Sequence, residues 1–148
     1  FVRSVKGYGI TAIINNYSGN KYDNTDGSWN KFFGLSFGWN PHKNSMRLAW
    51  RHLCTDYYEC CWYYYRDGNR YESKPFILEY GKDYNVAVFS DSAAVRMISH
   101  TGEYPIVINA LYFMDFEFKV GSRTWILMPY FGGKKRAPKK MIFKVEVK

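Results

Sequence analysis

The sequence contains few of the residues that define disulfide-rich, helical or membrane-spanning proteins. Cysteine occurs only as Cys54, Cys60 and Cys61, and an odd number argues against a disulfide framework. Adjacent Cys60 and Cys61 would point to opposite faces of a strand, so we do not expect them to share a metal ion. Apolar runs fall far short of the ~20 residues of a membrane helix, which predicts no membrane insertion. The helix formers Ala, Leu and Glu are also scarce, which disfavours a helical fold.

Catalytic signatures are missing as well. No nucleophile elbow, zinc-protease motif, phosphate loop or dinucleotide fingerprint occurs, and we predict no cofactor and no metal. The histidines are His42, His52 and His100; a catalytic pair of Cys54 and His100 is conceivable, but nothing in the sequence places the two side by side. Asp115 and Glu117 share one face of a predicted strand and could imitate a glycosidase pair, but a solvated outer face explains them more simply. Lyases of acidic sugars use Tyr, His, Arg and Lys, so a lyase or hydrolase of the same fold stays open as a third hypothesis.

Aromatic residues are what the chain has in excess: 14 Tyr, 11 Phe and 5 Trp. Such residues fit half-buried pleated surfaces, and Tyr also suits recognition surfaces because it joins an apolar ring to a polar group. The length of 148 residues is that of one ordinary domain. We therefore expect residues 1–148 to form a single all-β domain, an antiparallel β-sandwich or jelly roll of about ten strands. Because the sequence starts with Phe1 and not with Met, we expect a chain that was processed or is part of a longer one.

The clearest strand pattern is Lys31–Trp39, where large apolar residues alternate with Gly34, Ser36 and Gly38. Together with two following strands and a tight turn at Arg66–Asn69, it predicts a meander. Residues 16–30 are rich in Asn, Gly, Ser and Asp and predict a long loop. The other predicted strands are Val2–Lys6, Tyr8–Asn15, Met46–Leu53, Tyr57–Tyr65, Arg70–Tyr80, Tyr84–Ser90, Ala94–His100, one or two within Ile106–Val120, Thr124–Tyr130 and Met141–Lys148.

Two details of burial can also be predicted. Thr124–Tyr130 is apolar on both faces, which is typical of a central strand. Trp29, Trp62 and Trp125 are expected in the core, Trp29 as a plug that closes the long loop.

The net charge of +8 is concentrated near one end of the chain. Residues 134–148 hold seven Lys or Arg against Glu146, which leaves a charge of only +2 on the first 133 residues. Nucleic-acid binders usually spread basic groups over a whole face. A short basic turn at 134–140 is more typical of a solvated loop, so we do not expect a nucleic-acid partner.

Two constellations suit binding. The first is the strand face of Arg47 and Arg51, which Tyr63 and Tyr65 are expected to join from the neighbouring strand. A planar guanidinium beside a phenol ring can stack on a sugar or hold a carboxylate or a phosphate. The simpler alternative is that both arginines solvate an outer face.

The second constellation is the predicted loop tip that contains Trp39, His42 and Lys43 together with Asn40 and Asn44. Loops at the ends of sandwiches often carry recognition residues. Ordinary turn chemistry is the alternative, because Asn and Pro are common turn formers.

Two groups of segments carry a resemblance. Pro129–Gly133, followed by Ala137-Pro138 and an alternating final strand, resembles the ending of small concanavalin-like jelly-roll domains in secreted polysaccharide-processing proteins of gut bacteria. Phe33–Gly38, with Asn40–Ser45 and Arg47–Arg51, resembles uncharacterised proteins of those bacteria and their phages.

The resemblance implies a β-sandwich in a glycan-related or virion setting, and it implies no active site. In the jelly-roll ending Ala-Pro is often followed by His-Asp, but here Lys139-Lys140 follow, so no ligand role is transferred there. Our first hypothesis is a non-catalytic recognition module, most simply glycan-binding, that is extracellular, on a cell surface or on a virion. The alternative is a phage virion structural protein, such as a fibre, decoration or collar component, packed against other viral or surface subunits or in a homo-oligomer.

Overall fold

Two antiparallel sheets enclose an apolar core in the computed structural model, which describes residues 9–24, 26–98, 110–120, 124–130, 137 and 139–148. A single 3-10 turn of this part of the chain lies at Ser18–Asn20. In chain order, the strands are β1 (Gly9–Asn16), β2 (Asn30–Phe37), β3 (Ser45–Cys54), β4 (Tyr57–Arg66), β5 (Asn69–Glu72), β6 (Phe76–Glu79), β7 (Asp83–Phe89), β8 (Ser92–Met97), β9 (Tyr112–Phe113), β10 (Thr124–Leu127) and β11 (Phe143–Val147).

The sheet order confirms the predicted antiparallel β-sandwich. One sheet has the order β11-β1-β7-β8-β9, and the other has the order β10-β2-β3-β4-β5, with β6 also paired to β4. Strands β2 to β5 form the predicted meander, and the turn after β4 has positive φ at Asp67 and Gly68, as a tight hairpin requires. No helix in these described ranges is long and apolar enough to cross a membrane.

The core lies between the sheets because alternate residues of each strand face inward. Met46, Leu48 and Trp50 of β3 are fully buried, and they meet side chains of the other sheet such as Phe143, which lies edge-on to Trp50. Burying one such large side chain contributes about 1.5–3 kcal/mol. Trp62 is buried as predicted, and its Nε1–H donates to the carbonyl of Ala110 at 2.9 Å.

The predicted strand Arg70–Tyr80 is wrong in one respect, because it is interrupted. β5 and β6 both pair with β4, and residues 73–75 form a break between them. Pro75 has no N–H to donate to a ladder. Ser73 accepts the Trp62 N–H through its Oγ at 2.8 Å and so replaces a ladder bond.

Other burial predictions also need correction. β10 lies at the end of the described sheet and is not a central strand. Trp29 and Trp125 are half-buried and not core residues. They lie away from the core because β10 pairs Trp125 with Ser36, on the face opposite to the buried Leu35, and because Trp29 packs on the small cluster around Ala49.

The segment 110–120 keeps its alternation although only Tyr112–Phe113 is a strand. Every second side chain from residue 112 to residue 118 packs on the core, whereas the carboxylates of Asp115 and Glu117, which lie between them, are exposed. The core-packed residues are Tyr112, Met114, Phe116 and Phe118. The predicted strand Val2–Lys6, the break at Thr101–Pro105, His100 and most of the basic turn lie outside the described residues.

Candidate functional site

The surface of the six-stranded sheet that faces away from the core carries most of the predicted binding residues. We call it the outer face; it comprises Gly34 and Ser36 of β2, Arg47, Ala49 and Arg51 of β3, and Cys61, Tyr63 and Tyr65 of β4. Alternation puts these residues there, since their neighbours along each strand are in the core. The β3–β4 register sets Arg47 directly opposite Tyr63, and Arg51 opposite Glu59. The structure thus brings together the residues of the first predicted constellation.

An open cleft of about 530 Å³ lies on this face. We call it the Tyr63 cleft; the side chains that line it are those of Trp29, Lys31, Arg51, Tyr63, Arg70 and Glu72. Its volume is within the range of ordinary small-ligand sites. Such sites usually have a mainly apolar lining, whereas this cleft is lined by aromatic and charged groups.

Tyr63 forms the centre of this cleft, and only 5 % of its surface is exposed. The Nζ atom of Lys31 lies 4.3 Å from the centre of its ring, and the guanidinium carbon of Arg70 lies 5.8 Å from it. An Arg70 Nη1–H also donates to the Tyr63 hydroxyl at 3.4 Å. Two cations from two different strands therefore meet on one phenol ring, an arrangement that the ring's negative face favours.

Arg47 lies opposite Tyr63 and is half-buried. Its Nε atom is buried without a hydrogen-bond partner, and the guanidinium makes neither a hydrogen bond nor an ion pair with any residue that the structure describes. Burial lowers the pKa of Arg47, and the nearby phenols of Tyr65 and Tyr63 oppose that effect. A buried donor without an acceptor is costly, and the charge of this guanidinium is not neutralised by any described carboxylate.

The electrostatics of the Tyr63 cleft favour negative charge. Burial lowers the pKa of Lys31, and the positive charges of Arg47 and Arg70 lower it further. The carboxylate of Glu72 is the opposing charge in the lining, and it accepts the indole N–H of Trp29 at 3.2 Å. Three cations thus surround Tyr63 with one carboxylate among them.

Arg51 has a different environment from Arg47. Its Nη2 forms an ion pair with Glu59 at 2.5 Å, and its Nη1–H donates to the carbonyl of Gly27 at 2.8 Å. Its guanidinium carbon lies 3.9 Å from the centre of the Trp29 ring. Arg51 therefore ties the long loop to the sheet and orients Trp29 at the rim of the cleft.

The predicted loop tip adds two aromatic contacts beside the outer face. Trp39 is 57 % exposed, and its ring lies 5.0 Å from that of Trp125, tilted by 38°. The ring of His42 lies edge-on to Tyr65 at 5.4 Å, and Tyr65 lies 5.9 Å from Tyr63. The two predicted constellations therefore adjoin through Tyr65.

Hydrogen bonds hold this tip in place. Ser45 Oγ–H donates to the carbonyl of Pro41 at 2.6 Å, and the Gly68 N–H donates to the carbonyl of Lys43 at 3.0 Å. Asn44 Oδ1 accepts the N–H of Asp67 at 3.0 Å, which joins the tip to the β4–β5 hairpin. The side chain of Lys43 is exposed. A tip fixed in this way would lose little conformational entropy on binding.

Sequence reasoning missed Trp29, Lys31, Arg70 and Glu72 as site residues. Strict alternation puts Lys31 on the same face as Phe33, in the core, but a bulge between them turns Lys31 outward. Arg70 could have been found, because a two-residue hairpin turn fixes its pairing with Tyr65.

The other candidate chemistry lies elsewhere. His52 shares a hydrogen bond of 2.8 Å with the hydroxyl of Tyr80, and Glu117 accepts from Ser90 Oγ at 3.1 Å. Burial raises the pKa of the Cys61 thiol to about 12. Within the described ranges no three metal-ligating side chains come together.

Comparison of the chain with protein-family models, with curated proteins and with solved structures finds no match. The functional argument therefore depends on the geometry of the outer face.

Proposed function

We propose that the protein is a non-catalytic recognition module that binds polysaccharide through the outer face, outside the cell or on a virion. The observation that carries this proposal is the Tyr63 cleft, in which Trp29 and Tyr63 lie beside Lys31, Arg70 and Glu72. A sugar ring offers an apolar C–H face to an aromatic side chain and hydroxyl groups to charged side chains. The half-buried ring of Trp29 provides the aromatic partner, and the charged side chains around the buried Tyr63 provide the polar ones, within one open depression.

The Trp39–Trp125 pair supports binding of an extended chain and not only of a single sugar. Trp39 has most of its surface exposed and yet is packed against Trp125. An exposed indole that a second ring already orients is a platform with little freedom to lose. Together with the cleft it would give a polymer two points of contact on one side of the sheet.

The protonation of Tyr63 favours binding over lyase chemistry. Burial raises the pKa of Tyr63, the neighbouring Tyr65 hydroxyl raises it further, and Arg70 opposes the rise. A general base in a lyase needs a pKa near the working pH. A phenol with a raised pKa stays protonated at neutral pH and acts as a hydrogen-bond donor.

Affinity electrophoresis in gels that contain neutral or acidic polysaccharides tests the proposal. We expect at least one polymer to retard the protein, and Trp39→Ala to weaken this binding by roughly tenfold through loss of a stacking platform. Phe113→Ala is the matched control, because Phe113 is 72 % exposed on the other sheet. The proposal fails if no polysaccharide of either kind retards the wild-type protein.

A second function, that of a virion structural protein in a homo-oligomer, is favoured by one observation. The surface of the five-stranded sheet that faces away from the core carries the exposed side chains of Phe89, Leu111 and Phe113 beside Ala87 and Ala94. Exposed apolar side chains grouped in this way are typical of subunit contacts. Light scattering should then give an oligomer that Leu111→Asp dissociates, and a monomer at high micromolar concentration would argue strongly against this function.

A further inference from the structure

We infer that the Tyr63 cleft selects an acidic sugar, whose carboxylate or sulfate group is held by Lys31 and Arg70 within the positive field of Arg47. The inference depends on the proposed function and adds the ligand class to it. Its basis is the convergence of three cations around one tyrosine, none of which forms an ion pair with a described residue.

The geometry leaves cationic groups free for a ligand. Arg51 is neutralised by Glu59, so it adds no net charge to the cleft. Lys31 has no carboxylate partner among the described residues; its Nζ–H donates to the carbonyl of Trp29 at 3.2 Å. Its remaining two donors are available, since an ammonium group has three.

Arg70 is the specificity element of this arrangement. It is exposed and lies on β5, where it pairs across the hairpin with Tyr65. Its Nη1 contacts the Tyr63 hydroxyl, which orients the planar fork over the cleft. A fork held at one corner can bind a carboxylate or a sulfate with its other donors.

Arg47 contributes positive charge to the field in the Tyr63 cleft and does not contact the ligand directly. It lies opposite Tyr63 and outside the cleft lining. Its positive charge acts on Lys31 and helps to lower the pKa of that lysine. Bringing an anion between Lys31 and Arg70 would relieve the repulsion among all three cations. Glu72 acts in the opposite direction, and its bond to Trp29 keeps its carboxylate at one side of the cleft.

Titration calorimetry with paired polymers tests this inference. The probes are polygalacturonate and its methyl ester, and dextran sulfate and dextran. We expect the charged member of at least one pair to bind roughly tenfold or more tightly than its neutral partner, because a charge-assisted hydrogen bond is lost with the charge. A difference in affinity within the polygalacturonate pair would identify a carboxylate ligand, and a difference within the dextran sulfate pair would identify a sulfate ligand. Either difference should shrink as salt is added.

Variants locate the effect in the cleft. Arg70→Ala should weaken binding of the charged polymer by roughly tenfold and Arg70→Lys by less, because lysine keeps the charge but not the fork. Arg70 is exposed, so its removal should not affect folding. Lys82→Ala removes an exposed charge away from the cleft and should have no effect.

The outcomes separate this inference from the proposed function. Equal binding of both members of each pair overturns the acidic ligand but leaves polysaccharide binding intact. Binding of none of the four polymers overturns the inference, whereas the wider panel of polysaccharides decides on the proposed function. Equally tight binding of single-stranded DNA, with no response to Arg70→Ala, would mean unselective attraction of polyanions and would also overturn it.

Discussion

The ammonium group of Lys31 lies 4.3 Å from the centre of the buried ring of Tyr63. The relationship depends on the β-bulge between Lys31 and Phe33, which brings the side chain onto the outer face. Without the bulge the lysine would point into the core, where an unpaired charge is very costly. One irregularity of backbone pairing therefore creates the positive part of the cleft.

The first prediction concerns pH. Burial and the charges of Arg47 and Arg70 lower the pKa of Lys31, while Cys61 and Glu72 act in the opposite direction. The lysine therefore loses its proton at a lower pH than an ordinary lysine, whose pKa is ~10.4. Affinity for an acidic polymer should fall as the pH rises through this lowered pKa. Titration calorimetry across the alkaline range measures it.

Lys31→Arg is the control for that experiment. Arginine stays charged over the whole range, so the decline in affinity between neutral pH and pH ~10 should disappear in this variant. A decline that is the same in both proteins would assign the titration to another group. The stability of the wild type should rise over the same window, because a lowered lysine pKa means that folding disfavours the charged form.

The second prediction concerns the guanidinium that has no partner. Arg47→Met should raise the free energy of unfolding by about 1 kcal/mol, because a buried unsatisfied donor costs ~1–3 kcal/mol and methionine fills similar space. The Nε atom of Arg47 is the buried donor concerned. Urea denaturation measures the change. A clear loss of stability would mean that Arg47 holds the outer face together and is not kept for a ligand.

The third prediction is the opposite result at Arg51. Arg51→Met should lower the free energy of unfolding by about 1–3 kcal/mol, because Glu59 is left half-buried without its counter-ion. The carbonyl of Gly27 also loses its donor. Urea denaturation again provides the measurement, with Arg96→Met as a control at an exposed position. An Arg51 variant as stable as the wild type would contradict the structural role given to this arginine.

The fourth prediction tests the close approach of β2 and β3. A Cβ atom on Gly34 would lie 2.1 Å from the carbonyl oxygen of Met46 and 2.7 Å from the Cα of Arg47. These are backbone atoms, so the strands must separate, and Gly34→Ala should cost about 1–3 kcal/mol. Thermal unfolding measures it. Gly19→Ala is the matched control, because nothing lies within 4 Å of the added atom there, and its midpoint should not move.

Local patterns were sufficient for most of the architecture. Alternation in 46–53 puts Met46, Leu48 and Trp50 on one strand face, which is the face that the structure buries, and the Asp67-Gly68 turn fixes the β4–β5 hairpin. Local patterns gave a wrong prediction where apolar residues on both faces of a strand did not mean that the strand is central and buried. β10 has the pattern of a central strand but lies at the end of the sheet formed by the described residues, and nothing within the strand itself encodes how many neighbours it has.

The candidate site was predicted only in part, for a related reason. Arg47, Arg51, Tyr63 and Tyr65 could be grouped because a period of two puts alternate residues on one face. The sequence does not show which of two equivalent arginines is neutralised. Glu59 is near Arg51 and not Arg47 because of the β3–β4 register, and that register depends on how the whole hairpin packs.

The amino-acid sequence by itself determined the class of fold and the strand face that the candidate binding residues share, because both follow from side-chain alternation along single strands. The tertiary structure alone decided where the charges converge. Lys31, Arg47 and Arg70 come from three strands, and only a bulge, a register and a hairpin together bring them to Tyr63. Those features are set by packing between distant segments, which no local pattern records.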